Sequence, residues 1–366
     1  MRLSAILSLY IGRHFLASFL LLLAALLGLI LLFDIVELMR RAAPRPEVSF
    51  GTITEMALLK LPYLGQKIFP FAALFAGMLV FWRLTRSHEL VVTRSAGVSA
   101  WQFLLPVLVL SALLGFASVT AVNPLASASL SRFERIEATV LKGQKSDLAI
   151  SESGLWLRQG DLSGQSVVHA ARVLQQGDEV ELSDVVIFVY RGIDIFDYRI
   201  DAEHARLENG FWKLTDVWFF RPETAPSRTD EYLLKTDLTL AKIQDSFAPP
   251  ETMSFWALPG FIRTLEGAGF SALRHRLHWH ALLATPLLMC AMVLIAATFT
   301  LRQDRRGSTS FILAAGVLTG FALYVAQDFV FALGLSDSIP VTLAAWTPSG
   351  VAALLGITML LHLEDG

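Results

Sequence analysis

The chain reads as an α-helical polytopic membrane protein of six transmembrane helices, with an all-β, jelly-roll-like domain inserted between helices 3 and 4. Three observations predict this. Of its 366 residues 54% are hydrophobic and only 17% charged, below the ~25% charged that is usual in soluble domains, and the mean hydropathy is +0.55. The apolar residues are gathered into six runs, five of them long enough by themselves to cross a ~30 Å hydrocarbon core as a helix. Between the third and fourth runs, over residues 123–276, the pattern changes from helical to strand-like.

Taken in order, the first span is Phe15 to Phe33, an unbroken run of apolar or small residues. The second, Ile68 to Trp82, reaches spanning length when the helix starts near Leu58 and tolerates Lys60, Gln66 and Lys67 near its outer end. Ala100 to Val122 is the third, interrupted mainly by Gln102. Spans resume with Trp279 to Leu301, Phe311 to Phe331 and Pro340 to Leu363. Domains follow: 1–122 for helices 1–3, 123–250 for the β-domain, 251–276 for a connecting helix and 277–366 for helices 4–6. An even number of spans puts both termini on one side, with loops 83–99 and 302–309. Those segments hold Arg2, Arg13, Arg83, Arg86, Arg94, Arg302, Arg305 and Arg306, against Arg40, Arg41 and Arg45 in the short opposite loops. Positive charge stays inside, so the termini are expected in the cytoplasm and the insert outside it. Asp34, Glu37 and Arg40-Arg41 follow the first span with no small-residue cleavage site, which predicts a retained helix and not a signal peptide.

Inside the insert, Asn209-Gly210 supplies the positive φ angles of a tight turn and predicts a hairpin of strands near 197–207 and 211–220. A turn at Gln176-Gly177-Asp178 precedes Val185 to Tyr190, apolar at every position; a strand of this kind leaves neither face to water. Gly154 to Leu157, Ser166 to Val173 and Glu231 to Leu240 supply further strands, and short antiparallel strands at this spacing predict a sandwich or jelly roll. Asp245 to Glu251 with Pro249-Pro250 reads as a linker, and a short helix is expected around Phe255 to Leu265.

The net charge of −2 excludes a globally basic nucleic-acid binder, and with Cys290 as the sole cysteine no intramolecular disulfide forms. There is no GxxxxGK[ST], GxSxG, HExxH or GxGxxG, so nothing argues for an enzyme, a cofactor or a nucleotide-phosphate loop. Four constellations remain. Arg86 to Gly97 reads as a short helix capped by Ser87, with Glu89 in its first turn, either presented to a cytoplasmic partner or lying on the membrane. Asp34, Glu37, Arg40 and Arg41 close the first helix: the arginines either hold lipid phosphates or pair internally, Glu37 to Arg41 being the favourable spacing. His275, His278 and His280 flank Trp279 and suit interfacial anchoring better than a metal, for which no carboxylate or thiolate completes a set. Gln327 and Asp328 lie in the fifth span near its exported end, where proton coupling competes with simple contact to water.

Over nearly its whole length the chain resembles the LptF/LptG permease family, on the LptG side. The resemblance rests on the order three spans, insert, three spans, and on Phe69-Pro70-Phe71-Ala72-Ala73-Leu74 in the second helix. It rests further on Ser87-His88-Glu89-Leu90-Val91-Val92 through Ala96-Gly97-Val98-Ser99, Gly154-Leu155-Trp156, Ala202 through Leu214, Gly267 to Phe270 and Pro286. It implies a permease subunit of an ABC transporter that extracts lipopolysaccharide from the inner membrane and passes it to a periplasmic bridge of β-jelly rolls. The implied partners are a dimeric cytoplasmic ATPase, a sister permease (LptF-like), a single-span β-jelly-roll protein (LptC-like) and a bridge protein (LptA-like). ATP hydrolysis then belongs to a separate chain. On this resemblance Arg86, Glu89, Leu90 and Gly97 form a coupling helix that docks on the ATPase, and Arg40 and Arg41 face lipid phosphates. A permease for another lipid or lipoprotein, and a non-transporting anchor displaying a glycan-binding β-domain, are the alternatives.

Overall fold

A computed structural model describes residues 5–45, 47–87, 89, 95, 99–142, 148–151, 154–161, 164–176, 179–191, 195–208, 210–222, 224–236, 248–267, 271–300 and 309–365. They divide into two compact units: Met1–Lys142 with Glu251–Trp256 and Arg276–Gly366, and Gly143–Pro250 with Ala257–His275. The helices are α1 (Ala5–Ala42), α2 (Phe50–Arg86), α3 (Ala100–Ala117), α4 (Asn123–Ile136), α5 (Leu258–Gly267), α6 (Leu273–Thr300), α7 (Thr309–Leu335) and α8 (Val341–Asp365). Wide turns at Ser118–Val122 and Glu137–Lys142 extend the α3–α4 axis. Six helical segments are long and apolar enough to cross a membrane: Ile6–Ala42, Phe50–Arg86, Ala100–Leu141, Leu273–Thr300, Ala314–Leu335 and Val341–His362.

Local sequence sets the helix starts. Ser49 caps α2 by accepting from the Thr52 amide at 3.1 Å, and Ser99 with Gln102 forms a reciprocal capping box on α3. The core of the helical unit lies where α2 and α6 meet α1 and α3. Phe15 and Phe19, Leu74, Met78 and Phe81, Leu104 and Val107, Met289 and Val293 are all at most 1% exposed. Water contributes no hydrophobic drive between helices in lipid, so they are held by close approach at small residues. A Cβ on Gly115 would stand 2.6 Å from Pro286 Cα, and one on Gly77 2.9 Å from Ala296 Cβ.

The first three helices are longer than the apolar runs that predicted them. At ~1.5 Å per residue the 38 residues of α1 extend about 57 Å, nearly twice the hydrocarbon core. Their surplus ends form a second cluster of Leu38, Ala42, Ile53, Met56, Ala57, Leu130 and Phe133, each at most 6% exposed. The boundary expected at residue 123 therefore moves: 123–142 continue the third span, and the β unit starts at Gly143. Leu130, Phe133 and Ile136 at three-residue spacing make one helical stripe, which the serines and charges between them obscure.

The β unit is one antiparallel sheet in which every strand pairs with the next: β1 (Leu148–Ser151), β2 (Gly154–Asp161), β3 (Gly164–Gln176), β4 (Glu179–Arg191), β5 (Ile195–Glu208), β6 (Phe211–Phe220) and β7 (Ser227–Lys235). The predicted hairpin is β5–β6, with Glu208 opposite Phe211 and Gly210 at φ +83. One face is apolar. Leu155, Ala170, Val185, Ala202 and Val217 line up across five strands, each at most 6% exposed, and Leu157, Val168, Ile187 and Ile200 form the next row.

Alternation then slips by one residue along a line through Ala171, Asp184, Glu203, Asp216 and Asp230. On β4 the inward residues are Leu182 and then Val185, and on β6 Leu214 and then Val217. Asp184 and Asp216 sit on this line at φ 54 and φ 50, in the left-handed region that Asp tolerates better than most residues. The line is a crease. On both sides of it the inward residues stay buried although the alternation has shifted. The same crease makes strands of 13 and 14 residues read as shorter ones in the sequence. The Val185 to Tyr190 strand is buried on one side only, with Phe188 on the other face under the Arg199 guanidinium at 6.0 Å.

Candidate functional site

The constellation at the end of α1 is built by the surplus ends of the first three spans. Asp34 receives Lys60 of α2 at 2.5 Å, so the lysine expected to interrupt the second span is neutralised within the protein. Lys67 lies over the Tyr63 ring at 4.7 Å. Gln66 donates to Ser118 O in the wide turn after α3 at 3.4 Å, sharing that carbonyl with the Asn123 amide.

Asn123, 3% exposed, completes that arrangement. It donates to Gln66 Oε1 at 3.3 Å and accepts from the Phe255 amide at 2.6 Å. The Trp256 indole donates to Thr120 O at 3.3 Å, and Phe255 stacks on Trp279 at 6.1 Å. Residues 251–256 are thereby fastened to the helical unit. Side chains from α2 and from the returning segment thus both donate to carbonyls of the wide turn.

Both arginines expected to meet lipid phosphates have a carboxylate. Arg40 pairs with Glu37 at 2.7 Å, three residues away and not the four-residue Glu37–Arg41 spacing. Arg41 pairs with Glu137 beyond α4 at 2.9 Å. The two pairs differ in burial: the Arg40 side chain is 74% exposed, whereas Glu137 is 9% exposed. Arg45 donates to Val140 O, and Arg132 pairs with Glu55 at 2.7 Å. Sequence reasoning missed Glu137, Lys60 and Glu55 because their partners lie on other helices, at separations no local pattern reports.

At the opposite end of α2, Arg86 lies over the Trp82 ring at 5.2 Å. Ser87 caps the helix by donating its amide to Arg83 O and its hydroxyl to Glu89 Oε1 at 2.9 Å. Leu90 and Gly97 lie outside the described residues, as do Gly177, Asp178 and Asn209. His275, 5% exposed, contacts Ala248 O at 3.2 Å and the Phe261 ring at 5.1 Å, and among the described residues no three His, Cys, Asp or Glu side chains gather as metal ligands. Asp328 is exposed near the end of α7.

The spans differ sharply in burial. Only 11% of the most apolar stretch of α1 is buried, and the same of α7, against 67% for α6. Leu20, Leu21, Leu29, Leu32 and Phe33 of α1 and Leu318, Phe321 and Phe329 of α7 are each more than half exposed.

A family model described as "Lipopolysaccharide export system permease LptF/LptG" matches residues 9–362, taking in both units. The lipopolysaccharide export system permease protein LptG of Escherichia coli (strain K12) is 25% identical over 360 residues, covering 96% of this chain and 97% of that protein. The protein of the same name from Haemophilus influenzae is 24% identical over 366 residues, covering 96% of each. With six apolar helices, a β unit between the third and fourth, and a family match from end to end, the chain belongs to the LptF/LptG family of lipopolysaccharide export system permeases.

Proposed function

We propose that this chain is a permease subunit of an ABC transporter in the bacterial inner membrane, and that it lifts lipopolysaccharide out of the bilayer toward a periplasmic β-jelly-roll bridge leading to the outer membrane. One observation carries the reading beyond family membership: α1 and α7 bury few residues of their most apolar stretches within the chain, whereas α6 buries about two-thirds of its own. In a membrane those two faces meet acyl chains or a second permease, and a lipid enters the assembly between them.

Both termini are cytoplasmic and the β unit periplasmic in this reading. Arg40 and Arg41 stand at the level where lipid phosphates arrive; the guanidinium fork binds phosphate and carboxylate alike, so an arriving phosphate competes with Glu37 and Glu137. Arg86, Glu89, Leu90 and Gly97 transmit the work of a separate dimeric ATPase, with Glu89 reaching a basic or amide group on it. A sister permease of the LptF kind, a single-span protein of the LptC kind and a bridge protein of the LptA kind complete the assembly.

The test is purification in mild detergent with mass spectrometry of what comes along, paired with Glu89→Arg. An ATPase and a second permease should co-purify, and the charge reversal should abolish ATP-driven lipid export while leaving the helical unit folded. Export that is indifferent to Glu89→Arg removes the coupling role. Purification without an ATPase favours a membrane anchor.

A further inference from the structure

We propose that the cleft between the beginning of α1 and the end of α2 is a binding site for the phosphate headgroup of an anionic membrane phospholipid. It is an open cleft of about 200 Å³, lined by His14 and Ser18 of α1 and by Trp82 and Arg83 of α2, with apolar lining from Leu79 and Leu84. His14 and Ser18 are one helical turn apart and share a face, as do Leu79 and Arg83. Polar residues of two helices therefore line one cleft.

The charge pattern selects an anion. Arg83, unlike Arg40, Arg41 and Lys60, makes no ion pair among the described residues. Its position in the last turn of α2 suits the helix dipole, but the dipole does not account for an imidazole and a hydroxyl from a different helix lining the same cavity. A guanidinium, an imidazole and a hydroxyl offer a phosphate several donors at once.

Depth selects a lipid. His14 immediately precedes the apolar run Phe15 to Phe33, and Arg83 immediately follows the run ending at Trp82. The donors thus stand at the edge of the hydrocarbon, where phospholipid phosphates lie, and the apolar wall continues toward its interior. A cation at that level attracts anionic lipid. The site is distinct from the arginines at the other end of α1: 26 residues separate His14 from Arg40, about 39 Å along a helix, which puts the two sites at opposite faces of the bilayer.

The experiment is native mass spectrometry of the full-length chain in detergent, offered phosphatidylglycerol and phosphatidylcholine of matched acyl chains, with soluble glycerol phosphate as competitor. The chain should retain phosphatidylglycerol about tenfold over phosphatidylcholine. Arg83→Ala should bring that preference to within twofold, Arg83→Lys should keep part of it, and Arg228→Ala, in the β unit, should leave it unchanged; thermal unfolding of each variant verifies that it is folded. Equal retention of the two lipids, or a preference that survives Arg83→Ala combined with His14→Ala, overturns the site. Displacement of the lipid by equimolar glycerol phosphate overturns the lipid assignment in favour of a free phosphate ester.

Discussion

Arg41 and Glu137 meet at 2.9 Å, tying the end of α1 to the turn that follows α4, and the carboxylate of that pair is almost wholly withdrawn from water. The Arg41 side chain is 39% exposed, so this half-buried pair falls between an exposed one, worth about 1 kcal/mol or less, and a fully buried one, whose breaking costs about 3–5 kcal/mol. Arg41→Ala should therefore lower the unfolding temperature clearly, and Arg40→Ala should barely change it. Adding Glu137→Gln to Arg41→Ala should restore part of the loss, and a double-mutant cycle on thermal unfolding in detergent measures it. Additive losses would remove the pair from any structural role.

The contact of Gly115 with Pro286 joins the third and fourth spans backbone to backbone, since a methyl group there would lie 2.6 Å from Pro286 Cα. Gly115→Ala should destabilise the helical unit by about 1–3 kcal/mol, the usual range for overpacking. Gly350→Ala is the control, since nothing stands within 4 Å of its added Cβ, and it should be neutral or slightly stabilising.

Asp216 occupies the crease of the β unit at φ 50 and pairs with Arg228 at 2.7 Å on an exposed face. A β-branched residue there meets the steric cost of left-handed backbone, about 1–2 kcal/mol. Asp216→Val should lower the melting of the β unit by that amount, and Asp216→Asn should change it by less than about 0.5 kcal/mol. Equal effects of the two would mean that the charge, not the backbone, matters at this position.

Tyr198 carries a pH signature. Its phenol is pushed up to about 12, first by burial and then by neighbouring Tyr232. In the unfolded chain the phenol ionises near 10. Below that value both states are protonated and the stabilisation is complete; as pH rises from about 10 toward 12 the unfolded chain loses the proton first and stability falls. Tyrosinate absorbance and unfolding should both follow this window in the full chain, and Tyr198→Phe should flatten the stability loss there. A flat profile in the unaltered chain would contradict the buried phenol.

The six spans and the β insert were legible because bulk hydropathy and strand alternation are properties of neighbouring residues. The β5–β6 hairpin was legible from Gly210, whose φ demands glycine or a close substitute. What escaped detection is non-local. Residues 123–142 bury Leu130 and Phe133 against α1 and α2, and the serines and charges between them mask the apolar stripe that these residues form. The crease was hidden because one slipped residue per strand, repeated on five strands, resembles imperfect alternation until the register is known. The internal pairing of Arg40 and Arg41 was weighed with Glu37 as the sole carboxylate, because Glu137 lies far away along the chain.

Pairing only between successive strands also bears on how the molecule assembles. Such a sheet has contacts of short sequence separation, which form fastest, so it can zip up one hairpin at a time as the chain emerges. The helical core is the opposite case: Phe81 and Met78 await Met289 and Val293, which are synthesised only after the whole insert. Until α6 arrives, α2 presents an open groove in the bilayer. Docking of the fourth span is therefore a late step of biogenesis, followed by the sixth, whose Ala352, Ala353 and Leu360 complete the same core, and an unfinished copy is most exposed to quality control in that interval.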